Sequence, residues 1–100
     1  MKNESHIAVA TIVGLPDTLI RSEQVDLFAE LSAYLNELVL SDFNQLVSIL
    51  YRMDVSESKV RAALADASGT VSAGEIIARL LIEREQEKME WRRKFRDGEL

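Results

Sequence analysis

No cysteine occurs anywhere in this chain, which excludes a disulfide framework and any thiolate metal site. Proline appears once and glycine four times in 100 residues, so strong chain breakers are scarce and helices are expected. Long apolar runs are missing too. The stretch from Ile7 to Val13 falls far short of the about 20 residues that cross a bilayer. It is also a poor signal peptide, because Lys2 is its only basic residue and no small-x-small site follows the run before Pro16 and Asp17. These absences fit a cytoplasmic chain without a membrane partner.

The residues that most often carry catalysis near neutral pH are almost absent. His6 is the single histidine, and a histidine so near a terminus reads as a solvated residue. No G-x-S-x-G elbow, G-x-x-x-x-G-K loop or G-x-G-x-x-G loop occurs. Glu83, Glu87 and Glu90 have helical spacing, but carboxylate metal bundles pair glutamate with an E-x-x-H element that this chain lacks. They read as a solvated face. The expectation is a non-enzymatic protein with no catalytic residues, no metal and no cofactor.

What is present suits a soluble globular domain spanning 1–100: 47% hydrophobic residues and a net charge of −5. A domain of this size buries roughly two-thirds of the surface its unfolded chain exposes. The charge is uneven. Residues 21–55 hold two basic and six acidic side chains, whereas residues 75–100 hold seven of each. The first half would therefore repel a phosphate backbone.

Periodicity places four main helices, each opened by a serine. Ser22 to Leu38 carries Leu27, Leu31, Leu35 and Leu38 on one face, with Phe28 and Tyr34 beside them. Ser41 is expected to cap the second helix, in which Phe43, Leu46, Val47, Leu50 and Met53 point inward. Ser56 caps a third, with Val60, Ala63, Leu64 and Ala67 inward and Gly69 as its stop. The fourth runs from Ser72 to Asp97, opening with the capping-box sequence Ser72-Ala73-Gly74-Glu75 and a core stripe of Ile76, Ile77, Leu80 and Leu81. Residues 1–20 are less regular. A short helix capped by Ser5 and ended by Gly14 is preferred; the alternative is a β-branched strand exchanged between copies. The fold class is all-α, a small bundle with a long C-terminal helix whose residues 83–100 form a charged extension.

Two segments bear on function. Residues 46–64 resemble a helix-turn-helix in outline, with a V-S-x-x-x-V stretch from Val55 to Val60 opening the second helix. Asp54 stands where glycine is usual in that turn, and Lys59 and Arg61 are the candidate nucleic-acid contacts. Glu57 and Asp66 offset them.

The second segment is the tail. Between Glu83 and Asp97 the apolar residues are Met89, Trp91 and Phe95. Leu81, Arg84, Lys88, Trp91 and Phe95 follow 3, 4, 3, 4 spacing, which reads as a packing seam. The two rings are expected to be sheltered, against Phe28 and Tyr34 of the same chain or against a second copy. The leading functional expectation is a protein–protein interaction or regulatory module that forms a homodimer through this helix. The alternative is a DNA-binding regulator.

Overall fold

A computed structural model of the chain describes residues 3–67, 69–96 and 98. Among the described residues there are six helices and no strand: α1 (Glu4–Val13), α2 (Asp17–Arg21), α3 (Leu27–Ser41), α4 (Phe43–Arg52), α5 (Glu57–Asp66) and α6 (Ala73–Arg96). The chain is an all-α bundle with a long C-terminal helix, as the periodicity indicates. Asp97 lies outside the described residues.

The N-terminal segment is a helix and not a strand, so strand exchange has no place in this fold. Its cap is Asn3, whose Oδ1 accepts from the Ser5 and His6 amides at 2.8 and 3.4 Å. Ser5 is instead buried in the first turn, where its hydroxyl accepts a 3.2 Å bond from Gln86 Nε2 and ties α1 to α6. Gly14 ends the helix in the left-handed region at φ 93°, a conformation open to glycine at little cost. His6 is half-buried, its ring centroid 5.9 Å from that of Phe28, and so is not a freely solvated terminal residue.

Pro16 does more than follow a stop. It starts the five-residue α2, where its fixed φ suits a helix entrance. Ser22 consequently belongs to a turn, its hydroxyl accepting from the Gln24 amide, and α3 begins at Leu27 under an Asp26 cap. Ser41 likewise ends α3, and Asp42 caps α4 by accepting from the Gln45 amide at 3.1 Å. Ser56 and Ser72 are the serines that cap as expected, accepting from Lys59 and Glu75. α5 stops at Asp66; Gly69 has a positive φ but lies beyond that end.

Leu31, Leu35, Leu46, Ile49, Ile77 and Leu81 form the fully buried centre. Leu27, Leu31, Leu35 and Leu38 share the inner face of α3, as their spacing requires. On α4 the inward set is Leu46, Ile49, Leu50 and Met53, while Phe43 is 49% exposed. The buried stripe of α6 is rotated from the expected one: Gly74, Ile77, Ala78, Leu81, Ile82 and Glu85 face inward, and Ile76 and Leu80 are half-buried.

Gly74 sets how closely α6 approaches α3. A Cβ there would stand 2.0 Å from the Ser32 carbonyl oxygen and 2.6 Å from the Asn36 amide nitrogen. Both are backbone atoms of a packed helix and cannot turn aside. The Gly74 amide, one of the free donors of a helix start, bonds Asn36 Oδ1 at 3.2 Å. Glycine is thus required at this crossing.

Candidate functional site

α6 changes character along its length. Through Ile82 it is held by the core; Glu85 is its last buried residue, at 4% exposure. A carboxylate in that position needs a partner. Glu85 Oε2 finds one in Arg92 Nη2 at 3.2 Å, two turns on, whose side chain is still 59% exposed. This pair ties the tail to the last packed turn.

Beyond it the helix is stabilised along its surface. Arg93 makes two bonds to Glu90, at 2.6 and 3.3 Å, and Arg84 lies 3.6 Å from Glu87. The Arg93 hydrogen bond and the charges of Arg93 and Lys94 hold the Glu90 carboxyl below its ordinary pKa, desolvation opposing them. Arg93, Lys94 and Arg96 also complement the negative helix end. Such exposed pairs are screened by water and each adds little to the helix. Together with continuity to the packed front half, they keep helical a segment too short to be helical alone.

The seam residues divide sharply. Leu81 is fully buried in the chain's own core and is not available to a partner. The heptad spacing included it because spacing does not mark where a helix leaves the body. Arg84 is half-buried, and its Nε has no acceptor among the described residues. Lys88 reaches across to Asp54, Nζ to Oδ2 3.4 Å. Trp91 and Phe95 are 58% and 65% exposed, their rings stacked at 5.6 Å and 21°. They do not fold back on Phe28 or Tyr34; Phe28 meets His6 instead. The rings stack on each other, and Trp91 also borders Arg84, Glu87, Lys88 and Arg92.

Aromatic side chains bury 150–250 Å² each, so these two leave about 250–300 Å² open to water. At about 25 cal/mol per Å² that is roughly 6–7 kcal/mol of gross burial not realised within the chain.

The helix-turn-helix candidates lie elsewhere. Asp54 adopts φ 60°, the left-handed turn conformation that glycine usually supplies. Arg61 is salt-bridged to Glu57 on its own helix. Lys59 lines a shallow groove with Glu83, Gln86, Glu87 and Glu90. Two cations beside four carboxylates make a weak surface for phosphate.

Three further large apolar residues are exposed: Leu40 at 79% and Tyr51 at 87%, which the periodicity did not single out, and Phe43 at 49%, which it placed inward. Phe43 and Tyr51 lie eight residues apart on α4, with half-buried Val47 between them, and Leu40 sits at the α3–α4 corner. Leu40 and Tyr51 fall outside an otherwise regular pattern, which is the signal that could have found them. Among the described residues no helix is long and apolar enough to cross a membrane.

No family model, curated protein or solved structure matches this chain.

Proposed function

We propose that this chain is a cytoplasmic, non-enzymatic interaction module that self-associates through the second half of α6. The exposure of Trp91 and Phe95, stacked on one side of a helix, carries this reading. Aromatic rings of this kind dominate interface energetics when they are desolvated, and a second copy supplies protein surface against which they can be desolvated. Arginine and lysine neighbours supply a polar rim and long aliphatic stems.

Sedimentation or light scattering at high micromolar concentration tests this. The wild type is expected as a dimer and the Trp91→Ala/Phe95→Ala variant as a monomer. A wild type that stays monomeric at that concentration overturns the reading.

DNA binding through residues 46–64 has less support, since Arg61 is paired and Lys59 borders carboxylates. It requires Lys59→Glu or Arg61→Glu to weaken salt-dependent retardation of DNA. No retardation at low salt removes it.

A further inference from the structure

Two rings alone make a thin interface. A stable contact covers about 800 Å² per partner, some three times what Trp91 and Phe95 expose. A second surface is therefore needed, and its chemistry can be read from the tail. That surface must accept aromatic side chains at its centre and basic ones at its edge. Residues 86–96 carry five basic side chains, Lys88, Arg92, Arg93, Lys94 and Arg96, against two acids, Glu87 and Glu90.

The strip formed by Leu40, Phe43 and Tyr51 has the complementary character. It is apolar and exposed, and its flanks carry Glu37, Asp42 and Asp54 within a segment, residues 21–55, of two basic and six acidic side chains. Strip and tail also meet in one place. Asp54, three residues after Tyr51, ends on Lys88, one turn before Trp91. An ion pair thus marks the border between an acidic apolar surface and a basic apolar one on the same molecule.

We infer that the tail of one copy docks on the α3–α4 strip of a second copy, and reciprocally, about a two-fold axis near the Lys88–Asp54 pair. This rests on the self-association proposed above and names its receptor. A surface with opposite charges on the two sides of such an axis is self-complementary: one rotation lays each basic tail on an acidic strip, at two equal contacts. Pairing tail on tail would instead bring together two segments that each carry an excess of basic residues over residues 86–96, which like-charge repulsion opposes.

The test uses two charge-reversed full-length chains, altered only at exposed positions. One carries Lys94→Glu/Arg96→Glu in the tail; the other carries Glu37→Lys/Ser41→Lys on the strip. Circular dichroism establishes that both remain helical, and sedimentation equilibrium gives the dissociation constants. Each variant alone is expected to dimerise more than about tenfold more weakly than the wild type, because both contacts become like-charged. An equimolar mixture is expected to restore a one-to-one dimer, since both contacts are complementary again. That recovery excludes local unfolding as the cause of the separate losses. A wild-type dimer unaffected by the strip reversal, or a mixture that fails to recover, overturns the strip as receptor while leaving tail-mediated association standing. A monomeric wild type overturns both.

Discussion

The two halves of α6 share one helix and obey different physics. From Gly74 to Ile82 the helix is positioned by what it buries: Ile77, Ala78 and Leu81 have no exposure, and Gly74 lies against the backbone of α3. From Gln86 to Arg96 the described side chains are exposed or half-buried, and the helix is held by the Gln86–Ser5 hydrogen bond, by ion pairs and by its continuity with the packed half. Glu85 is the joint. Composition does not separate the halves cleanly, because glutamate and arginine occur in both. What separates them is where the neighbouring helices end.

The largest effect that can break this contrast is Leu81→Ala. Removing a fully buried leucine should cost about 2–5 kcal/mol in urea unfolding, a large share of the stability of a domain of this size. Next comes the joint. Arg92→Ala leaves the Glu85 carboxylate buried without its partner, and a destabilisation of about 1–2 kcal/mol is expected, discounted because Arg92 is half-exposed. The double variant Glu85→Met/Arg92→Ala should recover most of that loss, since a buried charge then no longer needs a partner. If it does not recover, the pair is not what joins the halves.

Trp91→Ala should change unfolding of the dilute monomer by less than about 0.5 kcal/mol, even though it removes the largest side chain in the protein. A cost comparable to that of Leu81→Ala would mean that the ring is packed within the chain. The smallest effect concerns acid. The Glu90 carboxyl titrates below its ordinary value because Arg93 holds it. The stabilisation it provides is therefore complete above the ordinary glutamate range and is lost as the pH falls through its depressed value. Protection of the amides in the last two turns, relative to their intrinsic exchange rate at each pH, should fall over that window, and Glu90→Gln should abolish the change.

Much of the fold was legible because it is periodic. The inner face of α3 and the existence of α4, α5 and α6 follow from apolar spacing alone. Cap positions were less secure, for a local reason. Ser22 and Ser41 each stand near an aspartate that also accepts amide bonds, and sequence does not say which of the two will accept from the first turn of the helix. Asp26 and Asp42 do. The short α2 escaped because five residues give no period.

At the site, the shared side of Trp91 and Phe95 was readable, but their exposure was not, since that depends on how far the other helices reach. The burial of Glu85 was hidden among its charged neighbours, and Leu81 looked like part of the same seam. Both errors have one origin: a repeat continues smoothly across the point where the core stops. The exposed apolar residues of α3 and α4 are the converse case: Leu40 and Tyr51 break the pattern of their helices, and Phe43 keeps the spacing yet is 49% exposed.

The tight crossing at Gly74 has a mechanical corollary. α6 is a rod pinned near one end, with Phe95 about 32 Å from the pin at 1.5 Å per residue. Widening the pin with a single methyl group tilts the rod, and a tilt of about 10° sweeps the far tip by roughly 5 Å. The smallest residue in the interior is therefore the pivot of a lever, and it sets where two rings at the opposite end are aimed.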